Sequence, residues 1–135
     1  MSSWTAICNN ERFNLIGYFK ENNTIVWRQH KYCEVGDYVF FYLSAPYSEI
    51  RFACKVIEVG IHDVTEVLPY YLEGNDEYIL NNKTRWPYMR VHLCGELDID
   101  EVKRAVLMKH GMRSFQIGCR VCDELERHLI QTFKL

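Results

Sequence analysis

One stretch limits the possible folds more than any other: Tyr38-Val-Phe-Phe-Tyr-Leu-Ser44. Successive side chains of a strand point to opposite faces. Here Val39, Phe41 and Leu43 fall on one face and Tyr38, Phe40 and Tyr42 on the other. Neither face is polar, so both must be covered by other parts of the chain. Val35-Gly36-Asp37 supplies a tight turn in front. Beyond Ala45-Pro46-Tyr47-Ser48, residues 49–59 place Ile50, Phe52, Cys54 and Val56 on one face and Arg51, Ala53 and Lys55 on the other. That alternation marks an antiparallel partner strand.

The rest of the chain supplies the cover. Residues 3–8 read as a short strand carrying Trp4 and Ile7. Asn9 or Asn10 can cap a helix whose stripe is Phe13, Ile16 and Phe19. Ile25-Val26-Trp27 is a brief extended piece, and residues 60–87 are irregular. Residues 88–97 alternate Met89, Val91 and Leu93 with Arg90 and His92, a strand pattern. Asp98 and Glu101 have the spacing of a capping box ahead of a helix with Val102, Ala105 and Val106, which Gly111 should end. A last helix carries the stripe Cys122, Leu125, Leu129 and Phe133. The class is α+β: one domain over residues 1–135, with a curved or closed antiparallel sheet and about three peripheral helices.

Composition narrows the function. Net charge is -2, from 16 basic and 18 acidic residues. This argues against strong non-specific nucleic-acid binding and leaves room for a local basic rim around a pocket. The N-terminus has no basic flank followed by an apolar run, and no stretch approaches a membrane span. The six cysteines are scattered. A reduced, cytoplasmic protein is therefore expected, with most cysteines acting as small buried hydrophobes. Cys119-Arg-Val-Cys122 lacks the second ligand pair of a structural zinc site and the strand–helix context of a redox motif, so helix packing is the better reading.

No residue pattern carries catalysis. The five histidines include no i, i+4 pair and no HExxH; no Walker loop, nucleophile elbow or GxGxxG occurs. Lys83, Arg85 and Trp86 lie together, and Lys109 and Arg113 flank a helix end. Such positions are usually solvated loops. Basic residues beside rings also serve single-stranded or flipped bases, with the cations on phosphates. Trp27 runs into polar Arg28-Gln29-His30. A core role, which would require an indole partner, and a ligand-facing role are equally well supported on these grounds.

The order of these pieces resembles the EVE domain of the PUA-like superfamily, which also includes YTH and ASCH domains. Trp27 stands where EVE sequences carry a tryptophan ahead of a Gly-Asp turn. Gly36-Asp37, Val39 to Ser44 and Ala53 to Val59 match the turn, the "FFYhS"-like strand and the returning strand. "MRVHLCGELDIDEVKRAVL" and "MRSFQIGCRVCDELERHLIQTF" are similar to the ending of YTH-like chains. Only the middle, residues 60–87, is unmatched.

The resemblance implies a compact β-barrel with a pocket for one nucleobase, and a non-catalytic reader of a modified cytosine or adenine in DNA or RNA, flipped or single-stranded. It places Trp27, Arg28 and Gln29 at the pocket, Tyr42 and Ser44 at its border, and Asn9 and Asn10 where relatives set polar residues. Trp86, Tyr70 and Tyr71 are candidates for a second aromatic wall, and Lys83, Arg85, Lys109 and Arg113 for phosphate contacts. No metal or cofactor is implied. A partner nuclease or other defence-system protein would supply what a domain of net charge -2 lacks. The alternatives are an ASCH-like amidohydrolase on acylated cytidine and a protein-binding adaptor. ASCH enzymes display a GxKxxExR-like motif, and the comparable stretch here, Gly17-Tyr18-Phe19-Lys20-Glu21, has the wrong spacing.

Overall fold

The strand Tyr38–Leu43 does have both faces covered. In the computed structural model, which describes residues 2–62 and 87–135, the chain runs β1 (Ser3–Cys8), α1 (Leu15–Glu21), β2 (Thr24–Arg28), β3 (Tyr38–Leu43), β4 (Glu49–Ile61) and β5 (Tyr88–Glu96). A single 3-10 turn (Asp100–Val102), α2 (Arg104–Lys109) and α3 (Asp123–Phe133) follow. The sheet order is β1-β3-β4-β5-β2, and the sheet curls into a half-barrel. Inside it, Val39, Phe41, Leu43, Phe52, Cys54 and Val56 pack with Leu15, Tyr18 and Phe19 of α1. On the outer face, Phe40 and Tyr42 pack with Leu107, Leu125, Leu129 and Phe133 of the last two helices. Each fully buried large side chain contributes roughly 1.5–3 kcal/mol.

One pairing departs from a purely antiparallel sheet. β1 runs parallel to β3, with Trp4 opposite Val39, while the other three pairings are antiparallel. The long connection through α1 and β2 permits this, since parallel neighbours need a crossover.

Four local expectations are corrected. Ile50 does not share a face with Phe52. Phe41 pairs with Phe52 but Tyr42 pairs with Ile50, so Arg51 is an extra residue in a bulge and the alternation resets. The first helix is capped by Asn14, whose side chain accepts from the Gly17 N–H, and its buried face is Leu15, Tyr18 and Phe19. Asp98 caps no helix; it binds Lys103 Nζ at 3.0 Å and lies 3.5 Å from Arg51. Cys122 is exposed at the N-cap of α3, and Val121 takes the buried place in front of Leu125.

The corner where β1 meets β3 is fastened by Asp37. Gly36, at φ 98°, lets the chain turn in a conformation other residues resist. The buried Asp37 carboxylate then accepts from the Trp4 indole N–H (2.9 Å), the Ser2 N–H (2.9 Å) and the Glu34 N–H (3.0 Å). Burial opposes its charge, but these three donors outweigh burial and hold the carboxyl below its usual value.

Candidate functional site

Beside this corner the half-barrel opens into a cavity of about 680 Å³. Ala6 and Ile7 of β1 form one side and Trp27 to Lys31, at the end of β2, another. The third is the loop Gln116-Ile117-Gly118. That loop is held to β1 by the bonds Thr5 N–H to Cys119 O (2.8 Å), Val121 N–H to Ser3 O (2.8 Å) and Cys119 N–H to Thr5 Oγ1 (3.0 Å). Gly118 is needed for this approach: a Cβ there would run into the Thr5 carbonyl and the His30 ring. The size suits a small ligand or a base.

Trp27 is half-buried. Its ring meets Phe13 and Phe41 edge-on, at 5.3 and 5.2 Å, from within the core, and it also lines the cavity. Its indole N–H has no hydrogen-bond partner among the described residues. Gln29 is fixed by accepting the Gly60 N–H at Oε1 (2.8 Å), which leaves its NH₂ as a donor. His30 stacks on Trp4 at 5.0 Å and 15°, and its Nε2 lies 2.9 Å from the Thr5 carbonyl. A carbonyl only accepts, so Nε2 carries the hydrogen and Nδ1 is left as an acceptor. Burial holds the imidazole below its ordinary pKa; the nearby Arg28 acts the same way, against the opposing Thr5 bond. At neutral pH the wall thus offers a ring face, a donor and an acceptor. No carboxylate lines it among the described residues.

A second concavity of about 490 Å³ adjoins the first and shares Gln116 and Ile117 with it. Tyr42, Ser44, Ser48, Arg104, Arg113 and Phe115 are among its walls, again without a carboxylate among the described residues. The expected site residues therefore divide. Trp27, Arg28 and Gln29 come together in the first cavity; Tyr42, Ser44 and Arg113 come together in the second. Asn9 and Asn10 line neither. Their side-chain oxygens accept the Glu11 N–H (2.9 Å) and the Ile16 N–H (3.0 Å), so both hold the turn before α1. Lys109 is exposed at the end of α2, away from both linings. Tyr70, Tyr71, Lys83, Arg85 and Trp86 lie outside the described residues.

Several lining residues carry no sequence motif: Lys31, Ser48, Arg104, Phe115, Gln116 and Ile117. The one available signal was Phe-Gln-Ile within the polar run 112–118. Among the described residues no group of His, Cys, Asp and Glu is placed to hold a metal, and no helix is long and apolar enough to cross a membrane. Burial pushes the Cys8 thiol up to about 12 and the Cys33 thiol up to about 11, so both are inert packing groups at neutral pH.

The same arrangement of strands and helices occurs in solved structures. The ASCH protein of Zymomonas mobilis superposes with a TM-score of 0.64 at 11% identity, covering 96% of this chain and 94% of that one. The fold is ASCH-like. A Pseudomonas syringae protein gives a TM-score of 0.62 at 16% identity, over 98% of this chain and 99% of that one. A Rhodopseudomonas palustris protein gives 0.55 at 14% identity, over 98% and 92%. No family model matches the sequence, and no curated protein is significantly similar to it. At such identities the likeness is one of fold. It does not single out the EVE branch.

Proposed function

We propose that this ASCH-like domain is a non-catalytic module that accepts one nucleobase, flipped from a duplex or in a single strand, in the Trp27 cavity. The carrying observation is Trp27 itself, packed from behind by Phe13 and Phe41 yet lining a cavity with Gln29 and His30 beside it. Stacking on such a ring contributes roughly 1–3 kcal/mol per base. Extruding a base from a duplex costs a few kcal/mol, so single-stranded or weakened sites are favoured. The Gln29 donor and the His30 acceptor suit a base edge that presents an acceptor beside an amino group, as cytosine and adenine do. A modification filling an apolar part of the cavity adds ~1–3 kcal/mol of discrimination. A modified cytosine or adenine is the ligand this reading favours, in keeping with the EVE-like motifs of β2, β3 and β4.

Titration with short oligonucleotides carrying different base modifications tests the reading, with wild type beside Trp27→Ala. Selective binding of at least one modified oligonucleotide is expected, lost in a variant that stays folded. If none binds at high micromolar protein, the reading falls. Hydrolysis of acylated cytidine by the wild type would replace it with the amidohydrolase alternative.

A further inference from the structure

The second concavity is built for an anion more than for a base. Arg104 and Arg113 both line it, and neither makes an ion pair among the described residues. Elsewhere Arg51 and Lys103 are committed to Glu49, Glu96 and Asp98. Arg104 is held in place: its backbone N–H donates to the Ser48 carbonyl (2.9 Å), and its guanidinium lies 4.3 Å from the centre of the Phe115 ring. Phe115 in turn packs on Tyr42 at 5.2 Å. Ser44 and Ser48 add hydroxyls to the same lining. A planar guanidinium fixed by stacking, with hydroxyls nearby and no carboxylate, suits a phosphate.

Between the two concavities stands Ile117. It lines both and is 74% exposed, the most exposed of the large apolar residues among those described. An isoleucine left in water gains nothing for the free protein. Its loop is nevertheless tightly fixed, with Ser114 Oγ donating to the Ile117 carbonyl at 2.7 Å and Gly118 seated against Thr5 and His30. An apolar side chain held rigidly between a base-sized cavity and an anion-sized one can separate two successive nucleotides, as apolar wedges do in unstacked base steps.

We infer that the ligand spans at least two nucleotides of a single strand: a base in the Trp27 cavity, the adjoining phosphate between Arg104 and Arg113, and Ile117 parting the two bases. The inference rests on the base-binding reading above. Its probes are the dinucleotides of thymidine with 5-methyldeoxycytidine and with N6-methyldeoxyadenosine, each with a phosphodiester or a neutral methylphosphonate linkage, and the corresponding modified nucleosides. At least one phosphodiester should bind roughly tenfold or more tighter than its methylphosphonate twin and its nucleoside. The double variant Arg104→Gln, Arg113→Gln should lose that advantage, leave nucleoside affinity within about twofold, and remove most of the weakening of phosphodiester binding by added salt. Ile117→Ala should weaken the dinucleotide severalfold, weaken the nucleoside clearly less, and leave the urea midpoint of unfolding unchanged. Equal affinity for the charged and neutral linkages, or an unchanged phosphodiester affinity in the double variant, overturns the inference and leaves the base reading standing. Arginine-dependent phosphodiester binding that survives Trp27→Ala overturns the base reading instead. No binding by any probe removes both.

Discussion

Trp4 and Trp27 lie on the same half-barrel and face opposite demands. Trp4 is 7% exposed, stacks on His30, and gives its indole hydrogen to Asp37. Trp27 packs edge-on against two core phenylalanines, keeps one side toward the cavity, and has no indole partner among the described residues. A buried indole N–H needs a partner, and Trp4 has one, which reads as structure; the Trp27 indole N–H is not among the buried unpartnered atoms, so water can reach it and a ligand can take its place. The two are linked through His30, which stacks on the first and lines the cavity of the second. Structural and ligand-facing roles should therefore separate cleanly when each is removed.

The largest effect belongs to Trp4. Trp4→Ala should lower the unfolding free energy by about 3–5 kcal/mol, through lost burial and the cavity left behind. Urea denaturation reads this directly; a loss under about 1 kcal/mol would erase the contrast with Trp27. Next is Asp37→Ala, which strands the Trp4 indole and the Ser2 and Glu34 amides and should cost about 2–4 kcal/mol. Asp37→Asn separates charge from shape. The folded-state pKa of Asp37 lies below its ordinary value, so the stability it adds is present above the unfolded carboxylate pKa and disappears as pH falls through the depressed value. Wild type should therefore exceed Asp37→Asn in stability at pH 7, with the gap closing on acidification. A gap that stays constant with pH would mean the Asp37 charge contributes nothing.

Much of the architecture was legible in local pattern. The two apolar faces of Tyr38 to Leu43 demanded cover on both sides, and the chain supplies it with α1 inside and two helices outside. Where local pattern failed, a competing partner was at work. Three asparagines before α1 can each cap a helix, and only tertiary contacts assign Asn14 to the cap and Asn9 and Asn10 to the turn. The Arg51 bulge adds a residue without altering composition, so the expected face of Ile50 reversed. Asp98 matched a capping box, but Lys103 and Arg51 hold it. Lys103 also serves the buried Glu49 at 2.7 Å. The site divided the same way. Trp27 to Gln29 announced itself as a polar run behind a tryptophan. Ile117, Phe115 and Arg104 reach the site through β1–loop bonds and the Ser48–Arg104 bond, which join residues far apart in sequence and leave no periodic trace.

Two smaller effects sharpen the contrast from the ligand side. Trp27→Ala should cost about 2 kcal/mol in stability, less than Trp4→Ala because part of the ring is already in solvent. Its binding loss should be about 1–3 kcal/mol, roughly 5- to 150-fold in affinity, read by titration of the folded variant. The reverse pattern, a large stability loss with unchanged binding, would make Trp27 a second core tryptophan.

The smallest effect is the most specific, because it concerns one proton on His30. With Nε2–H given to Thr5, a ligand can use only the Nδ1 lone pair, and protonation removes it. Because the folded pKa is depressed, the ring stays neutral in the folded protein somewhat below pH 6.5, while the unfolded chain takes the proton first. Acidification should thus reduce stability slightly, starting near the unfolded histidine value. Ligand affinity should weaken only at lower pH, by a few-fold, as the folded ring titrates. In His30→Gln the affinity step should vanish. If it persists there, the acceptor is another group, and Trp4 is joined to the Trp27 cavity by packing alone.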